Sequence, residues 1–449
     1  MNALLTAITF LLILCVIVVV HEGGHTMIAR LCGMRVTEFF VGMPWGPAAT
    51  HVSKRTGICY GATFALFGGY TRITGMSYVN DERLAFVLAL VNARGMVAPE
   101  ELALVLACDV DEAVGLLELL ADLGSVERLY EQGKRRHPRE MPCDYVTPDR
   151  DDRGLTVRDR GNALREGVAH PGCYPFDPQM SAEDFLAQEL SHTYKGASFL
   201  RRVFVLVAGV FFNLLFAFAL LTACYCSMPL YSAYLGVSEV TDGEAAQAAG
   251  VQAGDRLSAL DGQDVSSFES TDALSEALAS SEVLTFSRQS DGEDTQIEVT
   301  KSDDKFGVLL KYEYSDAQYL DLATSAQCSL SYIGTVATSV LSLLNPQQAG
   351  ETLSQSSGVV GIAAMTSTAV SSGVLDVLVL LAALSVSLAW MNLLPIPPLD
   401  GGKLLIEVIE RVIGREVPAW IQGALSLLGI GIVLLLFVYM VFQDASRLF

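Results

Sequence analysis

An apolar run that does not end where a membrane span ordinarily would sets the strongest constraint on this chain. Residues 4–20, LLTAITFLLILCVIVVV, are apolar without a break, and HEGGH follows at 21–25 with no spacer. The run lacks the basic start and small-residue cleavage site of a secretory signal, so it is expected to remain as a span. At about 1.5 Å per residue, a helix from Leu4 to Ile28 crosses a bilayer only if His21 to His25 ride at or just below the hydrocarbon edge. Ionisable groups at that depth are expensive and mark function.

Three more segments, 203–225, 372–396 and 420–441, are long and apolar enough to cross, and 51% of the 449 residues are hydrophobic. The pattern predicts a polytopic α-helical membrane protein with four transmembrane helices. Arg30, Arg35, Lys54 and Arg55 follow the first span, Lys195, Arg201 and Arg202 precede the second, and Lys403, Arg411 and Arg415 lie between the third and fourth. By the positive-inside rule, residues 29–200 and 398–417 face the cytoplasm, while both termini and residues 226–371 lie outside. The net charge of −21 argues against nucleic acid as a partner, because a phosphate backbone needs a basic track. The nine cysteines include no CxxC pair. Cys59, Cys108, Cys143 and Cys173 fall on the cytoplasmic side, where structural disulfides are not expected.

HExxH on a helix sets two histidines one turn apart on one face, suited to one zinc, and leaves the glutamate beside the metal as general base for a bound water. Here these residues are His21, Glu22 and His25. A zinc peptidase site needs a third protein ligand and keeps a fourth position for water. No histidine follows at the spacing of soluble zincins, and His51, His137, His170 and His192 all fall in the polar loop. The candidate is Asp400, in NLLPIPPLDGGKLL at 392–405, after prolines that break a helix and before two glycines that permit tight turns. A broken helix at membrane depth is tolerated where it is buried in protein or lines a cavity. A simple helix cap is the alternative role for Asp400.

At these residues the chain resembles the site-2 protease family of intramembrane zinc metalloproteases, in its bacterial branch with an extracytoplasmic PDZ domain between the second and third spans. HEGGH at 21–25 is similar to the family's HExxH, and LDGG at 399–402 to its LDG motif, whose aspartate is the third zinc ligand. The resemblance therefore implies Zn2+ held by His21, His25 and Asp400. AGVFFNLLFA at 208–217 resembles the second-span glycine and asparagine motif, which gives Gly209 and Asn213 the corresponding places and Asn213 a part in holding the substrate backbone. Residues 57–76 resemble the membrane-associated β-hairpin region with its GGY turn, and GVVGIAAM at 358–365 is similar to the glycine-rich approach to span three. The resemblance covers about residues 1–76, 196–315 and 355–449. Gly23 and Val210 stand where the family more often has a bulky residue and a proline.

The expected division is 1–28, first transmembrane helix with HExxH; 29–76, membrane-associated β-hairpin region; 77–195, cytoplasmic insertion; 196–225, second transmembrane helix; 226–315, inserted extracytoplasmic PDZ-like domain; 316–371, linker with an amphipathic helix; 372–402, third transmembrane helix and LDG motif; 403–449, cytoplasmic loop and fourth transmembrane helix. Residues 58–66 and 70–74 are β-prone runs about Phe67, Gly68 and Gly69, expected as a hairpin whose edge offers main-chain hydrogen bonds to an unwound substrate. The small-residue run into Gly250, GD at 254–255 and DG at 261–262 resemble a bacterial PDZ core, with a helix at 273–280 and a groove near Leu235 to Val237. Such a domain either captures a new C-terminus or excludes large ectodomains. The insertion holds an apolar helical run at 100–120 and a basic cluster, KRRHPR at 134–139, suited to anionic lipid. Cys143, His170 and Cys173 match no strong metal spacing. Residues 325–349 read as an amphipathic helix at the outer membrane surface or enzyme rim.

The reading is a zinc-dependent intramembrane endopeptidase in which Glu22 moves the proton. The resemblance implies single-span substrates already shortened by an upstream site-1 type protease, commonly anti-sigma factors or remnant signal peptides. It also implies a multi-pass protein of the bacterial cell membrane, with its active site near the cytoplasmic face. A noncatalytic scaffold presenting the PDZ-like domain is the alternative. A transporter would need more spans and an internal repeat, and the sequence has neither.

Overall fold

The computed structural model describes residues 2–43, 47–64, 68–76, 81–129, 144–151, 153–159, 180–231, 233–268, 271–290, 293–302, 305–314 and 317–448. Phe67, the basic cluster 134–139 with His137, Cys143, His170 and Cys173 lie outside the described residues. The chain divides into two units, Met1–Cys224 with Ala326–Phe449, and Tyr225–Ser325.

In the first unit, α1 (Asn2–Leu31) carries the apolar run and HEGGH as one uninterrupted helix. Strands β1 (Val36–Val41), β2 (Ala48–Val52), β3 (Cys59–Thr63) and β4 (Gly69–Ile73) form a sheet ordered β2-β3-β1-β4. The expected hairpin of 58–66 with 70–74 is corrected here. Both runs are strands, but β1 lies between them, parallel to β3 and antiparallel to β4, and the antiparallel partner of β3 is β2. Phe40 of β1 fixes this arrangement by stacking on Tyr70, 5.1 Å between ring centroids, and by occupying the space a Cβ at Gly61 would need.

Residues after β4 fold into a module of their own. Helix α2 (Leu84–Arg94), strand β5 (Met96–Val97), helices α3 (Pro99–Leu106) and α4 (Val110–Asp122), and strands β6 (Glu127–Leu129) and β7 (Asp144–Val146) enclose Leu88, Leu102, Leu117, Leu120 and Tyr145. The single helical run expected over 100–120 is two helices, because Ala107 adopts a left-handed conformation (φ 52°) that ends α3. The order, helices joined by a three-residue turn and then a β-ribbon, is that of a helix-turn-helix with an appended ribbon. Helix α5 (Ala182–Ser191) starts at Ser181, whose Oγ accepts from the Asp184 N–H at 3.0 Å.

A buried ion-pair network joins this module to the sheet. Arg35, just before β1, donates to Asp159 at 2.6 Å and to Glu189 at 2.7 Å, and Arg150 donates to Glu189 at 2.7 Å. None of the four side chains is more than 1% exposed, and two cations face two carboxylates, so no net charge is buried. Burial pushes both carboxyls up, but the guanidinium groups beside them hold them below the usual carboxylate range.

Helix α6 (Phe199–Ser227) leads to the second unit: β8 (Ala233–Val240), α7 (Ala245–Ala248), β9 (Arg256–Leu260), β10 (Gln263–Asp264), α8 (Thr271–Ser280), β11 (Val283–Ser290), β12 (Glu293–Thr300) and β13 (Val308–Tyr314). Its sheet runs β12-β11-β9-β8-β13, with β10 on β9. The groove expected near Leu235 to Val237 is corrected, because both side chains are buried and β8 pairs with β13 and β9. The open cleft lies instead between α8 and the start of β13, lined by Leu278, Phe306 and Val308 together with Lys301 and Lys305.

The chain then forms α9 (Leu322–Ser342), α10 (Ala349–Gln355), α11 (Val359–Ser372), α12 (Val374–Asn392), α13 (Asp400–Ile413) and α14 (Ala419–Leu448). Helices α1, α6, α12 and α14 are long and apolar enough to cross a membrane, at the four places the sequence predicts. Ser329 and Ile333 of α9 bond Thr222 of α6 and Trp390 of α12, so this helix lines the rim of the bundle. Within the expected linker, α11 is an additional apolar helix packed on α1, α12 and α14. Asp444 of α14 accepts from the N–H groups of Gly358 and Gly361 at its N-terminus, at 3.1 and 2.8 Å.

Candidate metal centre

Helical periodicity puts His21 and His25 on one face of α1, and the loop after α12 returns Asp400 to them at the first residue of α13. The Asp400 Oδ2 lies 3.0 Å from His21 Nε2 and 3.1 Å from His25 Nε2, and the two Nε2 atoms are 3.3 Å apart. The ligand atoms all lie within 4.8 Å of one another, with both histidines buried. Two imidazole nitrogens and a carboxylate oxygen converging on one point are the donor set of a metal site with an open fourth position.

The hydrogen bonds on the far side of each ring test that fit. His25 Nδ1 is 2.7 Å from the Val205 carbonyl oxygen, which can only accept, so Nδ1 carries the hydrogen and Nε2 presents its lone pair to the site. His21 Nδ1 faces the Asn213 amide nitrogen at 3.4 Å, and Asn213 is fully buried with its Oδ1 unpartnered. If His21 offers Nε2 to a metal, its Nδ1 carries the hydrogen and the Asn213 amide is turned over. Oδ1 then accepts from His21 Nδ1, and the orphaned oxygen acquires its partner.

Glycines allow the backbones to close on these groups. A Cβ at Gly209 of α6 would lie 2.4 Å from His25 Nε2 and 2.5 Å from His21 Cε1. A Cβ at Gly24 would lie 2.8 Å from the Ala208 carbonyl oxygen, so α1 and α6 touch backbone to backbone beside the ligands. Gly401 and Gly402 do not make the turn expected of them. Both are helical, and each gives room to the preceding loop, where a Cβ would come within 2.2 Å of the Leu393 oxygen or 2.3 Å of the Pro397 nitrogen.

Glu22 is half-buried next to His21, and its carbonyl oxygen accepts from Thr71 Oγ1 at 3.1 Å. A Cβ at Gly69 would lie 2.5 Å from Val18 Cγ1 and 3.4 Å from Glu22 Cγ, so β4 runs against α1 at the level of the glutamate. The site thus brings together His21, Glu22, His25, Gly209, Asn213 and Asp400. Sequence reasoning missed Val205, whose contribution is a main-chain carbonyl, and Thr71, for which only the adjacent GGY gave a signal.

Three groups that could hold a metal, on helices apolar enough to cross a membrane and with a glutamate beside them, are what a membrane metalloprotease requires. Residues 9–436 match the family model of Peptidase family M50, and the chain belongs to that family, the site-2 proteases. Over 99% of both chains it is 25% identical to "Probable protease eep" of Enterococcus faecalis. It is likewise 27% and 24% identical to the zinc metalloproteases RasP of Shouchella clausii and Bacillus licheniformis, again over 99% of both chains.

Proposed function

We propose that this metalloprotease holds zinc and hydrolyses a peptide bond within or near the transmembrane segment of single-span membrane proteins. The observation that carries this reading is the convergence of His21, His25 and Asp400 within 4.8 Å. His21 and His25 would bind through Nε2 and Asp400 through Oδ2; when bound, zinc supplies Lewis acidity toward the scissile carbonyl and lowers the pKa of a water. Glu22 takes the proton of the attacking water and delivers it to the departing amine. Asn213 steadies His21, and the family resemblance also gives it a part in holding the substrate backbone. The edge of β4, beside Glu22, receives the substrate as an added strand, so an unwound segment keeps its amides bonded at membrane depth.

The active site sits near the cytoplasmic face of a bacterial cell membrane, with both termini and residues 226–315 outside. That region acts as a PDZ-like domain controlling admission. Its cleft between α8 and β13, with Lys301 and Lys305, suits the free carboxylate left by an upstream site-1 type protease. Pre-cleaved anti-sigma factors and remnant signal peptides are the substrates this reading favours. The helix-turn-helix order of the inserted module does not make it a nucleic-acid reader. Outside the basic run 134–139, its α3 and α4 carry Glu100, Glu101, Asp111, Glu112 and Glu118, which repel phosphate.

The test is cleavage of a truncated single-span reporter by the purified protein in liposomes, beside Glu22→Gln with its zinc quantified. Cutting by the unmodified protein alone, with about one zinc in each, is the expected outcome. Absence of zinc from a folded preparation would overturn the mechanism.

A further inference from the structure

The module after β4 has no part in the mechanism above, yet its α4 faces β4, the strand that lies against the catalytic helix. Among the described residues β4 ends its sheet. The Gly42 N–H donates to the Gly68 oxygen at 2.7 Å, and Phe40 pairs with Tyr70 and Glu38 with Arg72. By the alternation of an antiparallel ladder, the main-chain groups of Gly69 and Thr71 point to the open side. That side faces a cleft of about 230 Å³, with Thr71, Ile73 and Met76 on one wall and, on the other, Leu119 and Asp122 of α4 with Leu123 just past its end. Its volume is below the roughly 300–1,000 Å³ of drug-sized sites and suits one or two side chains. Thr71 lines this cleft and also bonds the Glu22 carbonyl oxygen, so one residue of β4 links the cleft to the catalytic helix.

The wall is held in place. Beyond the end of α4, Gly124 approaches Thr74 and Arg35, where a Cβ would lie 3.5 and 3.6 Å from their side chains. Arg35 is itself fixed by Asp159 and Glu189. At the cleft, Arg72 and Asp122 are 3.9 Å apart, and each has a closer partner, Glu38 at 3.4 Å for Arg72 and Arg128 at 3.0 Å for Asp122, so the charges at the rim are paired above a floor of Ile73, Met76, Leu119 and Leu123.

Building on the protease reading, we infer that the inserted module is the second wall of the substrate groove, and that the cleft between β4 and α4 is a specificity subsite for an apolar side chain. Ile73 lies four residues beyond Gly69, about 13 Å along a strand, so the occupant is a substrate residue three to five positions from the scissile bond. A leucine or methionine fits the floor, and among the described residues an aspartate meets no unpaired cation there.

The experiment uses the full-length protein and single-span reporters carrying Leu, Gly or Asp at each of the positions three to five residues from the cut, on the module side. At one position the Leu reporter should exceed the Gly reporter about tenfold in kcat/KM, the usual range for an apolar pocket. Leu119→Trp, which fills the cleft, should bring that ratio to one or below; Met76→Trp, from the opposite wall, carries the same expectation if the first variant does not fold. A second readout needs no turnover: in Glu22→Gln, Asp122→Cys should be joined by a short bismaleimide to a reporter cysteine at the same position, with the chain retaining Asp122 as background. Reporters that are cut while neither ratio nor cross-link depends on α4 would overturn the subsite alone. A position-specific cross-link with no cutting by the unmodified protein would uphold the subsite and overturn the hydrolytic reading.

Discussion

Gly209→Ala is the sharpest test of the metal centre, because the added atom has nowhere to go. Its Cβ would stand 2.4 Å from His25 Nε2 and 2.5 Å from His21 Cε1, where ordinary contact begins at 3.4 Å. One of the groups must therefore retreat by about 1 Å, and α6 is not free to do so, since Gly24 already lies against the Ala208 carbonyl. The histidine rings move instead, and both carry ligand atoms. Overpacking costs about 1–3 kcal/mol, partly offset by the roughly 1 kcal/mol that alanine gains over glycine in a helix, so the protein should still fold. A displacement of about 1 Å at a reacting centre costs on the order of 100-fold in rate, equivalent to about 2.7 kcal/mol of transition-state stabilisation. The assay pairs reporter cleavage with zinc content by mass spectrometry, at matched amounts of folded protein. Gly23→Ala is the control, since nothing lies within 4 Å of its added Cβ. It should keep both activity and zinc and melt no lower than the parent. If Gly209→Ala retains full activity and stoichiometric zinc, the close approach of α6 to the ligands is wrong.

Asn213→Ala should lower zinc affinity about 10–100-fold by freeing the far side of His21, whereas Asn213→Asp, which keeps an acceptor there, should retain it. Zinc titration with a competing chelator separates this from a purely substrate-holding role, which would change kcat/KM alone. Asp400→Asn should cost at least as much affinity as loss of such an outer partner, and stripping the metal from the unmodified protein should abolish cleavage until zinc is restored. Arg35→Met should destabilise the unit by about 3–5 kcal/mol by stranding Asp159 and Glu189, read as a lowered thermal midpoint. Because burial raises these two carboxyls but Arg35 holds both below their ordinary values, their contribution is fully present above the unfolded pKa of about 4. It is lost as pH falls through the lower folded values, so the protection of amides around 150–159, their exchange relative to the intrinsic rate at each pH, should be constant above about pH 5 and fall in acid relative to Arg35→Met.

What could be read from the sequence follows the range over which each signal acts. His21 and His25 were legible because a ligand pair four residues apart needs only a helix to assemble. Asp400, whose partners lie 379 and 375 residues away, was legible only through its surroundings, the prolines that break the helix before it and the two glycines after it. Strand β1 was passed over because its buried face reads Val36, Glu38, Phe40, and the acid interrupts the alternation. Glu38 is tolerated there by Tyr70, whose hydroxyl donates to it at 2.7 Å from the neighbouring strand. The ionic joint of the inserted module was invisible for a related reason: Arg35, Arg150, Asp159 and Glu189 look like any solvated charges until the fold brings them together. The groove at Leu235 to Val237 failed because β8 acquires a neighbour, β13, from some 70 residues downstream, and the open edge of a sheet is a property of the whole sheet.

The two kinds of signal meet at the glycines. In isolation Gly24, Gly209, Gly401 and Gly402 look like four weak points in helices, each unfavourable by about 1 kcal/mol against alanine. In the structure each marks a close approach, to backbone at Gly24, Gly401 and Gly402 and to the histidine rings at Gly209, that a Cβ would turn into a collision. The contacts fall on the helices and loop that carry the ligands: α1 on α6 at Gly24, α6 on the histidine rings at Gly209, and α13 on its own incoming loop at Gly401 and Gly402. A reactive constellation has to be held to within about 0.5 Å, and backbone contacts hold position better than long side chains can. The intrinsic loss of helicity is thus offset by rigidity at the place where chemistry needs it, and alanine substitutions at these four positions should reduce activity well before they unfold the protein.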